Sequence, residues 1–583
     1  MSLRGRLKRS LFRLSTTALS QLTLRVHRLV TFHHGVCHKS LIYGEGENKY
    51  CDICIKPTEK RIFSAALTAT TPFLPYHRCV VTAIMISYLI SPYTLLLLPV
   101  LYYLLPYVRN RSLWDIPGPH LASFSSIWLL IQCRLGKRYQ SVDEAHKKYG
   151  ALVRLQPHHV SIADPEAIQI VYGHGNGFLK SEYYDAFVSI HRGLFNTRDR
   201  ADHARKRRIV SHTFSAKNIG QFEQYMHANL ELFFKRWTEM AETAKGGFAE
   251  LDALHWLNYL AFDIIGDLAF GAPFGMLERG QDLTEVRFTP DAKPTYAPAI
   301  EVLNRRGEVS GTLGCLPSLV PYAKHFPDPF FSKGREAVAK LAGIAVARVS
   351  ERLAGPETDR VDLLARLMQG RDANGDAMGR DELTAEALTQ LIAGSDTTSN
   401  TSCAMLFHVL NNPHTIPKLQ AELDKALPNS GVPTFREVKE LPYLDNVIKE
   451  TMRIHSTSSL GLPRLVVGEG LTVHGHYFPP GTVLSVPAYT IHHSKQIWGD
   501  DAGEFRPERW ETVTEAQKNA FIPFSYGPRA CVGRNVAEME LALIGATVFK
   551  NFEFELRQDT LETREGFLRK PLQLIVGMRR RTT

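Results

Sequence analysis

The chain has 583 residues, of which 44% are apolar and 22% charged, an ordinary balance for a folded protein that excludes a largely disordered one. A formal net charge of +10 suggests a nucleic-acid partner until the charge is located. Residues 1–84 hold 13 Lys/Arg against 4 Asp/Glu, a surplus of 9, so the rest of the chain carries only +1 and nucleic-acid binding by the body is disfavoured. The eight cysteines, at 37, 51, 54, 79, 133, 315, 403 and 531, have no framework spacing. They argue for a reducing compartment, and the lone Cys51-x-x-Cys54 is weak as a zinc signal.

In chain order, residues 1–78 form a basic extension. Residues 1–44 lack any acidic side chain and have the composition of a transit peptide. Met85 is a competing start, which would make the first 84 residues an artefact of start assignment. Residues 79–108, "CVVTAIMISYLISPYTLLLLPVLYYLLPYV", contain no charge and exceed the roughly 20 apolar residues that cross a bilayer, so a transmembrane anchor is predicted. A buried core helix of that length is the weaker reading. Residues 109–120 include the stiff "DIPGPH" and read as a hinge. Residues 121–583 contain no second linker or repeat. Helical periodicity dominates there, as in "IGQFEQYMHANLELFFKRW", with short β-like pieces such as "GALVRLQPHHVSI" and "FEFEL". One large, mostly α domain with minor β sheets is expected.

Four patterns in this body carry chemistry. "AGSDTT" (393–398) places Asp396 and Thr397 inside an apolar helix, where they are costly unless paired or functional, and Gly394 would weaken that helix. "ETMR" puts Glu450 and Arg453 on one helix face, and "FRPERW" adds Arg509; taken singly, such groups are usually surface ion pairs. "FSYGPRACVGRN" (524–535) sets Cys531 on a glycine-punctuated loop before a helix N-terminus, where amides and the helix dipole would favour a thiolate. A lone cysteine is more often a buried structural one.

Together and in this order, the patterns resemble the cytochrome P450 superfamily, from about residue 115 to 580. Stretches such as "YGHGNGFLKSEYYDAF" and "ETMRIHSTSSLGLPR" resemble the fungal benzoate para-hydroxylases, the benzoate 4-monooxygenases. The resemblance implies a cytochrome P450 fold holding haem b, with Cys531 as the axial thiolate ligand of iron. It implies that Gly527 and Gly533 let the loop pass close under the porphyrin, and that Phe524 shields the sulfur. Gly394 would open a notch for O2, while Asp396 and Thr397 deliver protons. His203, Arg207, Arg464 and Arg529 are expected to meet the haem propionates. Arg205–Arg208 also reads as a solvated basic face that could dock a reductase. Glu450, Arg453 and Arg509 would form a structural network.

The implied reaction is para-hydroxylation of benzoate with O2 and electrons from NADPH, delivered by a cytochrome P450 reductase because the chain has no dinucleotide-binding glycine motif. Alternatives are hydroxylation or O-demethylation of another small aromatic, and a reductase-independent isomerase or peroxygenase. Candidates for the substrate carboxylate are Arg192, Tyr184, Ser456 and Ser458. The expected location is the endoplasmic reticulum membrane, single-pass with a cytosolic catalytic domain, a mitochondrial address in residues 1–44 being the lesser reading.

Overall fold

The computed structural model describes residues 92–356, 359–371 and 375–582. The basic extension, and residues 79–91 of the expected anchor, lie outside them. The helices that frame the site are α1 (Pro92–Arg109), α2 (Arg200–Thr213), α3 (Ala253–Phe270), α4 (Ala299–Leu313), α5 (Arg380–Asn411), α6 (Pro442–Ile454) and α7 (Arg534–Asn551). The strands around the site are β1 (Leu152–Gln156), β2 (His159–Ile162), β3 (Leu179–Lys180), β4 (Ala249–Asp252), β5 (Arg464–Leu465), β6 (Val483–Ser485), β7 (Phe552–Leu556), β8 (Thr563–Glu565), β9 (Arg569–Pro571) and β10 (Ile575–Arg580). A mixed sheet runs in the order β1-β2-β6-β5-β3, and an antiparallel sheet runs β7-β10-β4. The mostly helical reading with small sheets is what the described residues adopt.

Helix α5 is the spine. Asp381 and Glu382 in its first turn complement the helix dipole. Its polar run survives burial because Ser395, Thr397 and Thr401 donate their hydroxyls to carbonyls four residues back, at 2.7, 2.6 and 2.8 Å. Helix α3 packs along it, and α7 crosses it. Thr398 bridges α5 to α7 by donating to a carboxyl oxygen of Glu540 at 3.0 Å.

Helix α1 exposes Leu97, Leu98, Val100, Leu101, Leu104, Leu105 and Val108 along its length. No helix among the described residues is long and apolar enough to cross a membrane, so the expected anchor is seen only in part.

Glu450 on α6 is fully buried and accepts from five donors. Arg453 Nη2 and Nε lie at 2.7 and 2.9 Å, Arg509 Nε at 3.3 Å, Trp510 Nε1 at 3.0 Å and the Arg506 amide at 3.0 Å. Arg453 also donates to the carbonyls of His492, Ala502 and Glu504, and Arg509 to those of Trp498 and Asp501. The network fastens residues 492–510 to α6. Glu450→Ala strands the buried Arg453 guanidinium, while Arg509 keeps its 2.9 Å pair with Asp501, and should destabilise the protein by about 3–5 kcal/mol, measured by urea unfolding. A loss well below about 1 kcal/mol would mean that the arginines find other partners.

Burial pushes the Glu540 carboxyl up to about 8, against only the Thr398 hydrogen bond. The native state thus holds a proton that the unfolded chain releases near 4.5, so this group's contribution to stability falls as pH rises from about 4.5 to about 8. Glu540→Gln should remove that fall. Its stability gain over the wild type should grow across this window and level off above it, as read by urea unfolding at stepped pH. Parallel profiles would assign the titration elsewhere.

Candidate functional site

The cysteine loop is shaped by its glycine. Ser525 and Gly527 adopt φ of +61° and +72°, and a Cβ on Gly527 would stand 2.0 Å from the Tyr172 carbonyl oxygen. Both the torsion and the space demand glycine there. The Cys531 amide donates to the Phe524 carbonyl at 2.9 Å and closes the loop. Gly533 is the N-cap of α7, and a Cβ there would meet nothing nearer than 3.9 Å, with Cys531 Sγ at 4.0 Å. Phe524 is half-buried beneath the Arg534 guanidinium, 5.5 Å from its ring centre.

Cys531 is solvent-accessible, yet enough protein surrounds it that burial pushes its thiol up. The two observations together put it on the wall of a recess. The Gly533 amide, Arg207 and Arg534 favour the thiolate but do not outweigh burial, contrary to the expectation that the helix terminus alone would suffice. A metal ion bound at the sulfur would reverse that direction, since it lowers a coordinating thiol's pKa outright.

Beside the loop stands a cluster of cations. Lys180 and Arg464 are directly opposed across β3 and β5, an arrangement of like charges that destabilises a sheet. Arg529 and Arg207 join them, and all four depress His203, which burial and these neighbours bring down to about 3. Their hydrogen bonds go to neutral groups: Lys180 to the Phe195 carbonyl, Arg207 to Ala530 at 2.7 Å, Arg529 to Thr197 at 2.7 Å and Arg464 to the Tyr184 hydroxyl at 3.0 Å. Arg464 Nη2 is buried without a partner. None of the four forms an ion pair among the described residues. Such a cluster suits a ligand carrying more than one negative charge. Residues 205–208 are not one solvated face, since Lys206 is fully buried against Glu382, Arg205 pairs with Asp202 and Glu382, and only Arg208 is exposed.

On α5, Ala393 is exposed and Thr397 half-buried, although Leu391, Ser395, Asp396 and Thr398 around them are buried. This strip of helix therefore lines an internal space. Asp396 pairs with Lys570 of β9 at 3.4 Å. Gly394 has another role than the expected notch. A Cβ there would come 2.6 Å from Ile265 Cδ1, so the missing side chain lets α3 approach α5.

A cavity of about 140 Å³ lies against this strip, lined by Phe187, Phe195, Asn196, Arg306, Thr389, Ile392, Ala393, Thr397, Phe567 and others. Phe187, Phe195 and Phe567 meet edge-to-face with centroids 5.0–5.7 Å apart. Phe567 comes from the tip of the β8–β9 hairpin, which Arg138 and Tyr139 hold through Glu565 at 3.2 and 2.9 Å. A larger cavity of about 510 Å³ includes Ser459 and Tyr183 but neither Cys531 nor the α5 strip.

None of the four expected carboxylate ligands lines the smaller cavity. Arg192 donates to Asp185 at 2.8 Å and to the Asn196 carbonyl, Tyr184 is fully buried against Arg464, and Ser456 turns to the Ser458 carbonyl at 3.4 Å. Sequence reasoning missed Lys570 and Arg306. The first carries no local signal. The second shares a stripe with Val302, Leu303, Val309 and Leu313, an i+3, i+4 placement that marks a charge turned inward.

The family profile described as "Cytochrome P450" matches residues 117–578. The chain is 65% identical over 513 residues to benzoate 4-monooxygenase bphA of Aspergillus niger, covering 85% of this chain and 99% of that protein. It is 31% identical to the cytochrome P450 monooxygenase cicH of Emericella nidulans, over 78% of this chain and 90% of that one, and 29% identical to a cytochrome P450 monooxygenase of Aspergillus flavus, over 81% and 94%. The matched region takes in the cysteine loop, the cation cluster, the α5 strip and the buried Glu450 network, and the chain belongs to the cytochrome P450 family of haem monooxygenases.

Proposed function

We propose that this enzyme hydroxylates benzoate at the para carbon, with O2 and electrons passed from NADPH by a cytochrome P450 reductase. The observation that carries the reading is the cavity over α5. At about 140 Å³ it is below the roughly 300–1,000 Å³ of sites for drug-sized ligands, and three aromatic edges wall it. It fits a single ring. The 65% identity to a protein named for benzoate supports the same substrate.

The residues present fit haem: a sulfur donor on a recess wall, and beside it basic groups that lack acidic partners, among which burial and the neighbouring arginines hold Lys180 well below its usual value. Haem held by thiolate supplies the activation of O2. Cys531 would ligate the iron, and the Gly533 amide would temper the sulfur. Lys180, Arg464 and Arg529, with His203 and Arg207 at the cluster's edge, would neutralise the propionates. Lys180 is an addition to the residues expected from the sequence. Asp396, tethered by Lys570, would carry protons inward from solvent, and Thr397 would hold a hydroxyl at the cavity wall. Phe187, Phe195 and Phe567 would orient the ring and exclude water. The apolar exposed row of α1 supports a membrane anchor continuing through residues 79–108, with the enzyme facing the cytosol from the endoplasmic reticulum.

Turnover of benzoate with reductase and NADPH should give 4-hydroxybenzoate. Products at other ring positions, or none, would overturn the assignment. Cys531→Ser should lose the thiolate-type Soret band of the reduced carbon monoxide complex. Asp396→Asn should keep haem and benzoate binding while lowering turnover about 10²–10⁴-fold, and an unchanged rate would remove it from proton delivery.

A further inference from the structure

We infer that Arg306 of α4 receives the carboxylate of the aromatic acid and thereby sets which ring carbon is presented for hydroxylation. The inference rests on the aromatic-acid reading above. It starts from a charge that the fold buries and does not neutralise.

Arg306 is 5% exposed, and no ion pair reaches it among the described residues. One of its amines donates to the Phe187 carbonyl at 3.0 Å, which fixes the guanidinium plane, while Nε is buried without a hydrogen-bond partner. Burial lowers its pKa only to about 10, so it remains charged at neutral pH. A stranded guanidinium is costly, and an anion repays that cost best when the anion is also taken out of water.

The position is as telling as the charge. Arg306 lines the same small cavity as Ala393 and Thr397, so a single-ring ligand held by one meets the other. The remaining cations nearby are committed, Arg192 to Asp185 and Lys570 to Asp396. The guanidinium fork can grip a carboxylate through two parallel hydrogen bonds, which a point charge cannot reproduce. Phe187, Phe195 and Phe567 line the cavity that the fork shares with the α5 strip. A carboxylate fixed at Arg306 turns the far end of the ring, its para carbon, away from the arginine.

The test uses the haem-loaded enzyme and compares benzoate with benzamide, its neutral counterpart, by calorimetric titration. Arg306→Gln should weaken benzoate about ten- to a hundredfold and leave benzamide unchanged. Its hydroxylated products should spread from the para carbon to other positions. Arg306→Lys, which keeps the charge without the fork, should recover part of the affinity but not the single product; it serves also if the glutamine variant fails to hold haem. Equal weakening of both ligands, or unchanged benzoate binding, would overturn the inference and leave the function intact. A wild-type enzyme that binds no aromatic acid would overturn both.

Discussion

The cysteine loop depends on a carboxylate that never approaches it. Glu450 takes five hydrogen bonds while fully buried, and the two arginines it holds give their remaining donors to the backbone of residues 492–504 and to the Asp501 carboxylate. From there, His492 Nε2 accepts the Ile522 amide at 3.0 Å, two residues before Phe524. Burial keeps that imidazole neutral, so it can act as an acceptor. The chain of contacts runs from α6 to the segment that carries Ser525 and Gly527 in their left-handed torsions. A loop with so few internal bonds is held to its shape by the anchoring on either side, with α7 fixing the other end.

Several buried charges are neutralised where they sit. Arg138 meets Glu565, and Asp396 meets Lys570. Cations at two places around the site are not. At one, Lys180, Arg464, Arg529 and Arg207 crowd around a neutral histidine, and at the other Arg306 stands alone among aromatic rings. Self-repulsion and desolvation make both sites unfavourable in the protein alone, and that is the condition under which an anion gains most by arriving. One site lies beside the sulfur and the other lines the cavity over α5.

What was legible in the sequence was local. Cys531, Gly527 and the Glu450–Arg453 pair announce themselves through spacing, because a tight turn or one helical turn places such residues together regardless of the rest of the chain. Arg509 followed because it sits in a short proline-bounded segment. The misreadings were all tertiary. Arg192 looked available because Asp185, seven residues back across a loop, has no fixed geometry in the sequence. Gly394 looked like an opening because its neighbour Ile265 lies on another helix. Arg205–Arg208 read as one solvated face, yet helical rotation of about 100° per residue turns Lys206 inward onto Glu382 and leaves Arg208 outside.

The contact between Gly394 and Ile265 means that the cavity over α5 has a boundary set from outside. Gly394 is one step round the helix from Ala393, whose surface forms the cavity wall. Any side chain at 394 would drive α5 away from α3 and carry Ala393 and Thr397 with it. The width of that cavity is therefore fixed by the fit between two helices, at a position that does not line it. Relatives with different appetites could differ in that seam while keeping the lining itself unchanged.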